Sequence, residues 1–474
     1  MPNSPDTEGR VAHRLDVVVL AAGQGKRMNS TLPKVLHPLA GRPLLAHVLD
    51  AAAQLEPDQV HVVVGHAAEK VRDTIAGAAV RFPVNWVHQA QQHGTGHAVA
   101  QALPDIADDS CVLVLLGDVP LIAPDTLKAC LAAAQAGDIG LVTAELDDPA
   151  QLGRIVRGDG GEIVGIVEYR DASSAQRGIR EINSGIMALP AQALRSLLSE
   201  VSADNAQGEY YLTDIIALGR ARQMKVVGVV APTVQEVAGV NDCAQLAELE
   251  RYRQAQLAEQ LMRSGVTVAD PARLDIRGEI SVGTDCFIDV NVVFQGRVVL
   301  GDSVAIGPGC VISDSELGSG VRVEAHTVVD GAIVAANCSL GPFARIRPGT
   351  QLGESVKIGN FVETKKARLG RGSKASHLTY LGDAVLGEDC NVGAGTVTCN
   401  YDGVNKHQTT IGDGVFVGTN STLVAPIEIA DGAYLGAGST ITSKVGKGDL
   451  AVGRARQRNI QGWVRPDRRK PPED

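Results

Sequence analysis

From about Ile280 onward an aliphatic residue returns every six positions, usually with glycine directly after it. Leu300-Gly, Ile306-Gly and Ile312 keep this spacing, as do Leu340-Gly, Ile346, Leu352-Gly and Ile358-Gly, and Leu386-Gly with Val392-Gly. The cleanest run is Ile411-Gly, Val417-Gly, Leu423, Ile429, Leu435-Gly and Ile441. An aliphatic at period six followed by a small residue is the hexapeptide signature of a parallel β-helix. Each hexapeptide supplies one short strand and a turn; the aliphatics stack inside and the small residue lets the turn pack. Composition agrees: aromatics are only 3% of the chain and glycines number 53. Cys286, Cys310, Cys338 and Cys390 each fall four residues after the repeat's aliphatic, where a small buried side chain is wanted. The repeat breaks from Thr398 to His407, "TCNYDGVNKH", and a loop expelled from a regular coil implies a function for it.

The first half has another rhythm. Strand-like runs "LDVVVLA", "VHVVVGH", "VNWVHQ" and "CVLVLLGD" alternate with helix-like stretches such as "PLLAHVLDAAAQL". Strand alternating with helix predicts a mostly parallel sheet covered on both faces. Such sheets bind ligands beyond the carboxyl ends of their strands. Between the halves, "NDCAQLAELERYRQAQLAEQLMRSG" carries Leu246, Leu249, Leu257 and Leu261 near helical spacing and reads as one long joining helix. At 474 residues the chain exceeds a single ordinary core.

The net charge of −10 disfavours general attraction to nucleic acid or to an anionic membrane. The N-terminal "MPNSPDTEGRVAH" has no apolar core of a secretory signal, and no apolar run reaches the length of a membrane span. The eight cysteines form no C-x-x-C pair, which disfavours zinc. These features predict a cytoplasmic protein with reduced thiols.

Against the acidic background, "VVVLAAGQGKRMNSTLPK" is a local exception. Gly23-Gln-Gly25 lacks the third glycine of a dinucleotide fingerprint, since Met28 stands there, and no Walker loop is present. What remains is a strand, a turn rich in backbone N–H donors, and the cations Lys26, Arg27 and Lys34. Backbone donors can cradle a phosphate, and cations can neutralise a departing pyrophosphate. "LLGDVPLI" sets Asp118 at the end of an apolar strand, where a carboxylate is costly unless it meets a cation.

"LAAGQGKRM…LPKVL" resembles the sugar-phosphate nucleotidylyltransferases. With the hexapeptide half added, the chain from about Leu15 to Trp463 resembles the bacterial bifunctional N-acetylglucosamine-1-phosphate uridylyltransferase/glucosamine-1-phosphate N-acetyltransferases. The resemblance implies a Rossmann-like α/β domain at 14–243, a linker helix at 244–264 and a left-handed β-helix at 265–464. Residues 1–13 and 465–474 would be disordered tails. It implies that Leu20, Ala21, Ala22 and Gly23 contact a uridine nucleotide and that Arg27 and Lys34 meet its phosphates. Gln89, Gly94 and Thr95 in "HQAQQHGTGHA" would read uracil and its sugar, with Leu116 and Gly117 beside them. Asp118 and Asn241 would hold Mg²⁺, and Gly153, Glu168 and Asn183 would contact the sugar. Leu116 is a departure, since some relatives carry tyrosine there.

In the second half the same resemblance makes His377, in "SKASHLTYLGDA", the base for the attacking amine. A lone histidine is otherwise more often structural. Arg347 and Lys365 would hold the sugar 1-phosphate, and Tyr380 and Asn391 the amino sugar. Ala394, Asn400, Tyr401, Thr419, Ala437 and Arg454 would line an acetyl-CoA groove, Thr419 replacing a frequent serine. Glu363 would either orient a partner or pair with Lys365 or Lys366.

The implied activity is acetyl transfer from acetyl-CoA to glucosamine 1-phosphate, then uridylyl transfer from UTP, in a homotrimer built through the β-helix. Two other readings stand beside it: nucleotidylyl transfer alone on a structural β-helix, and a non-catalytic scaffold. "TKKARLG…HLTYLGDA" argues against the first; the intact Arg27, Lys34 and Asp118 argue against the second.

Overall fold

A computed structural model describes residues 14–465, with residues 24, 66 and 78–81 excepted. The two segments expected to be disordered tails lie outside these residues, apart from the exposed Arg465. The chain divides into two compact units, with the division between Leu257 and Ala258 in the helix Cys243–Arg263.

The first unit is built on a mixed sheet. Its main path runs Val226–Val230, Ile139–Glu145, Glu181–Pro190, Cys111–Leu116, Leu15–Leu20, Gln59–Val64 and Val84–His88. Every pairing on this path is parallel except those of Glu181–Pro190, which runs antiparallel between two parallel neighbours. The four apolar runs read from the sequence are four of these strands. Their near-continuous hydrophobicity has a simple cause. Val17 and Val19 pack on one face with Leu45 and Leu49 of helix Leu44–Ala53 and Leu127 of Pro124–Gln135. Val18 packs on the other with Val99 of Thr95–Ala102, Leu194 of Ala191–Leu198 and Ile215 of Asp214–Ala221. Both faces are covered, so no polar alternation is needed. Leu249 of the long helix packs with Met28, Leu39, Leu44 and Val240, and Glu250 accepts the Ala40 N–H at 2.6 Å. The early turns of this helix are therefore part of the first unit's core.

The second unit is a left-handed parallel β-helix of hexapeptide coils. Ile288 pairs with Ile306, Ile306 with Val323, Val323 with Leu340 and Leu340 with Ile358, so one coil takes seventeen or eighteen residues. The step of six shortens to five at some corners, from Ile312 to Leu317 and from Val329 to Val334, and the inward aliphatics stay buried throughout. The four repeat cysteines are free and buried. Each thiol donates to a carbonyl of the following coil, at 3.1 Å from Cys286 to Gly301, 3.1 Å from Cys310 to Glu324, 3.0 Å from Cys338 to Gly353 and 2.9 Å from Cys390 to Gly412. Burial raises all four thiol pKa values. The expelled loop begins later than the spacing suggested. Thr398 remains a buried coil residue in strand Val397–Cys399, and the coil resumes at Thr409. Among the described residues no helix is long and apolar enough to cross a membrane.

Candidate active sites

In the first unit, Leu20 pairs with Leu116 and with Val63, so the carboxyl ends of neighbouring strands open onto one edge. The chain leaves Leu20 through Ala21 and Ala22 to Gly23, where a side chain would meet only open space. Gly25 has φ 60°, and a Cβ there would stand 2.7 Å from Cβ of Lys34. Its glycine lets the loop turn and lets Lys34 lie against it. The Lys34 ammonium ion-pairs with the Asp118 carboxylate and comes within 3.4 Å of Asn241 Oδ1. Arg27 Nη2 donates to the same Asn241 oxygen at 2.8 Å. Gly117 brings Asp118 into position: its N–H bonds Leu20 O at 2.9 Å, and a Cβ would crowd that oxygen at 3.1 Å. Four residues from three stretches remote in sequence thus meet at the strand ends. Two hard oxygens gathered around positive charge form a donor set that suits Mg²⁺.

Around this centre, Gly94 starts helix Thr95–Ala102 with φ 109°, and a Cβ there would approach Tyr210 O to 2.6 Å. Thr95 Oγ1 accepts from Leu212 N at 3.1 Å. The buried Gln89 carboxamide lies 2.9 Å from His97 Nδ1 and donates to Gly94 O at 3.4 Å. Gln92, which sequence reasoning did not single out, donates to Ala22 O in the glycine loop. Two positions apart from Gly94 and three from Gln89 in a polar stretch, it carried no distinguishing signal.

Gly153, Glu168 and Asn183 converge. Asn183 N donates to Gly153 O at 2.9 Å, and a Cβ on Gly153 would stand 3.3 Å from Glu168 Oε1. Burial pushes the Glu168 carboxyl above its usual range, and the Asp171 and Asp214 charges push the same way against the Thr213 hydroxyl, which donates at 3.2 Å. Leu116 is half-buried against Gly185, whose φ of 81° and lack of a side chain make room for it.

In the second unit, Arg345 pairs with Glu363 and Ile346 with Thr364, so Arg347 falls one coil before Lys365 on the same outer face. Arg347 Nη1 donates to Glu363 Oε1 at 2.6 Å. Glu363 therefore pairs with Arg347 and not with Lys365 or Lys366: the coils stack in register, and Arg347 lies on the adjacent coil, two residues beyond Glu363's register partner Arg345 and so on the same face. Lys365 pairs with Gly382, and the Tyr380 ring lies across that glycine. Lys406, from the expelled loop, faces Lys365; its ammonium is the main cause lowering the Lys365 pKa, with Arg347 contributing. Lys406 was also missed, although a cation in an expelled loop was a usable signal. The loop is held by Asp402, which accepts from Val404 N, Asn405 N and, at 2.7 Å, pairs with His407 Nε2. Tyr401 and Lys406 bridge its two arms.

His377 ends strand Lys374–His377 at a corner of the coil and is exposed. Val392 pairs with Val417 and Val417 with Leu435, so Ala394, Thr419 and Ala437, each two residues on, continue that corner over successive coils. Asn420 N to Ala394 O at 2.7 Å and Gly438 N to Thr419 O at 2.8 Å tie the corner together. Arg454 carries its side chain over Gly438 at the end of this line. Small side chains running parallel to the axis leave a path for a long, narrow ligand. Asn400 donates to Asp383 from a nearly buried position, and Tyr401 is exposed with its hydroxyl on Gly403 O. Asn391 is exposed beside Lys374 in register.

Three families match the chain. The MobA-like NTP transferase domain covers residues 17–264, the GMPPB C-terminal domain 276–369, and the bacterial transferase hexapeptide (six repeats) 408–443. The chain is 55% identical over 452 residues to the "Bifunctional protein GlmU" of Marinobacter nauticus, covering 95% of this chain and 99% of that protein. It is 54% identical over 455 residues to the protein of the same name from Alkalilimnicola ehrlichii, covering 96% and 97%. A crystal structure of UDP-glucose pyrophosphorylase with UDP-glucose aligns with 51% of this chain and 99% of that one, at 19% identity and a TM-score of 0.44.

Proposed function

Because this chain belongs to the bifunctional GlmU family, we infer that it carries out two transfers in sequence that end in UDP-N-acetylglucosamine. The observation that carries this reading is the presence in one chain of two separate charged centres. One is Arg27, Lys34, Asp118 and Asn241; the other is Arg347, Lys365, Lys406 and the nearby corner with His377.

In the first transfer, Arg347 and Lys365 hold the 1-phosphate of glucosamine 1-phosphate by charge-assisted bonds. Tyr380 and Asn391 contact the sugar. Acetyl-CoA lies along the corner of Ala394, Thr419 and Ala437, with Asn400, Tyr401 and Arg454 around it. The amine attacks the thioester carbon, His377 takes the amine proton, and the coenzyme leaves as its thiolate. In the second transfer, a phosphate oxygen of N-acetylglucosamine 1-phosphate attacks the α-phosphorus of UTP and pyrophosphate leaves. Leu20 to Gly23, with Gln89, Gly94, Thr95, Leu116 and Gly117, contact the nucleotide; Gly153, Glu168 and Asn183 contact the sugar. Arg27 and Lys34 neutralise charge on the departing pyrophosphate. Asp118 and Asn241 would hold Mg²⁺, which when bound offsets phosphate charge.

We further propose a cytoplasmic homotrimer formed through the β-helix. The free cysteines support the compartment. An exposed apolar edge next to His377 supports the assembly. The test is stoichiometric. With glucosamine 1-phosphate, acetyl-CoA, UTP and Mg²⁺ present, the purified chain should release one thiol and one pyrophosphate per UDP-N-acetylglucosamine. Pyrophosphate release from N-acetylglucosamine 1-phosphate, without thiol release from glucosamine 1-phosphate, would leave only the nucleotidylyl-transfer reading.

A further inference from the structure

We propose that Asn360 is a positioning residue for acetyl transfer: its carboxamide oxygen accepts the Nδ1 proton of His377 and leaves Nε2 as the basic atom. This rests on the reading of His377 as the base. The distance from His377 Nδ1 to Asn360 Oδ1 is 2.7 Å. A carboxamide oxygen only accepts, so the ring nitrogen facing it carries the hydrogen. A neutral imidazole has one N–H, and its lone pair then sits on Nε2. That atom has no hydrogen-bond partner among the described residues. The two histidines with carboxylate partners differ: His61 is engaged at both ring nitrogens, and His407 spends Nε2 on Asp402.

The backbone gives this contact its rigidity. In the eleven-stranded sheet of the β-helix, nine strands are two residues long. Lys357–Asn360 and Lys374–His377 alone are four. The added length carries the register pair Asn360 with His377 at its end. Gly359 permits the extension, because a Cβ there would collide with the backbone of Ser376. Leu378 N donates to Asn360 O at 3.0 Å, and Thr379 Oγ1 donates to His377 O at 2.7 Å. Both side chains therefore leave fixed backbone on adjacent coils, about 4.8 Å apart.

The contact serves both halves of the proton transfer. Before transfer it selects the tautomer with a basic Nε2. Afterwards both ring nitrogens carry hydrogen, and Asn360 Oδ1 still accepts from Nδ1 of the imidazolium. Lys357 and Lys374 are the other charged residues on these two strands, and the next strand, Asn391–Val392, has none. No carboxylate on these elements competes for Nδ1.

The test uses the full chain with ¹⁵N-labelled histidine. Spectra of wild type and His377→Ala identify the His377 signals among the 11 histidines. Above the imidazole titration, wild type should show the hydrogen on Nδ1. Asn360→Ala should shift the ring towards a mixture of tautomers and lower kcat for acetyl transfer by about 10- to 10²-fold, part of what a placed base supplies. KM for both substrates should stay within about twofold of wild type, because a base-orienting contact acts on the reacting amine and not on the phosphate or coenzyme contacts. Asn360→Asp should restore the tautomer and most of kcat, and should move the acidic limb of the pH profile upward, since a carboxylate favours the imidazolium. Melting curves and sedimentation accompany each variant, and the rescue by Asn360→Asp separates orientation from folding. Hydrogen on Nε2 in wild type, or wild-type kcat in Asn360→Ala, overturns the inference. If His377→Ala itself acetylates at the wild-type rate, the base assignment fails instead, whatever Asn360 does.

Discussion

The ammonium of Lys34 and the carboxylate of Asp118 form an ion pair at the end of two adjacent parallel strands, with Asn241 Oδ1 3.4 Å from the same nitrogen. One cation therefore gathers both oxygens proposed for Mg²⁺. Asp118→Asn keeps the shape and removes the charge. We expect it to reduce uridylyl transfer by at least about 10²-fold and to leave acetyl transfer unchanged. Calorimetric Mg²⁺ titration should show weakened binding. In wild type, acylation of Lys34 by an amine reagent should speed up as Mg²⁺ is added, because the metal takes the oxygens that hold the ammonium. Unchanged uridylyl transfer at low Mg²⁺ would remove Asp118 from the site.

Glu168 gives a pH test in the same unit. Burial raises its pKa above the ordinary carboxylate value, so it takes up a proton at higher pH than other glutamates. The ionised form accepts from sugar hydroxyls by stronger, charge-assisted bonds than the protonated carboxyl. KM for N-acetylglucosamine 1-phosphate should therefore rise as pH falls, starting above the usual glutamate range. Glu168→Gln should flatten that dependence at a higher KM. The stability effect has the opposite sense. A carboxyl whose folded pKa is raised favours the fold below its unfolded pKa of about 4.3, and that favour is lost as pH rises through the folded value. Glu168→Gln should thus melt higher than wild type at neutral pH. A lower melting temperature there would show that Glu168 is held by partners that stabilise its charge.

The cluster of Lys365, Lys406 and Arg347 carries like charges that a phosphate dianion would relieve. Lys406 lowers the Lys365 pKa; Lys406 is exposed and Lys365 half-buried. Lys406→Met should raise KM for glucosamine 1-phosphate by about 10- to 10²-fold, with the dependence of KM on salt reduced. An unchanged KM with altered kcat would assign the expelled loop to a different step.

Much of this was readable before any coordinates, and the exceptions have physical causes. The hexapeptide aliphatics Ile306, Ile346 and Ile411 marked the coil because an inward position excludes polar groups. The spacing broke into separate runs because the corner at Leu317 is one residue tighter. Thr364 and Thr398 hid two more inward positions, since each is buried with its hydroxyl bonded inside the coil. Asp118 stood out as a charge ending an apolar strand. Gln92, Asn360 and Lys406 did not, because their roles depend on which coil or loop stacks beside them. Period six alone does not reveal that Asn360 and His377 are neighbours, nor that Glu363 faces Arg347. The antiparallel strand Glu181–Pro190 was equally hidden, as strand direction leaves no mark on composition.

The assembly can be tested through one apolar edge. His326, Phe343 and Phe361 stack in sequence with ring centroids 5.2 and 5.5 Å apart, and Leu378 follows them on the next coil, directly after His377. Phe343, Phe361 and Leu378 are 49%, 56% and 62% exposed, and all four residues have φ between 49° and 56°. A bulky side chain in that backbone region is strained, and an exposed aromatic ladder is costly in water. A second copy of the chain packed on this edge would offset both costs. It would also bring its surface against the corner that carries His377. Phe361→Glu puts a charge in the middle of the ladder while leaving the coil interior untouched. We expect sedimentation to fall from three copies of the 49.5 kDa chain to one. Acetyl transfer should drop with the loss of assembly, and uridylyl transfer should persist. A Phe361→Glu chain that remains a trimer, with normal acetyl transfer, would show that the ladder faces solvent and that the copies meet elsewhere.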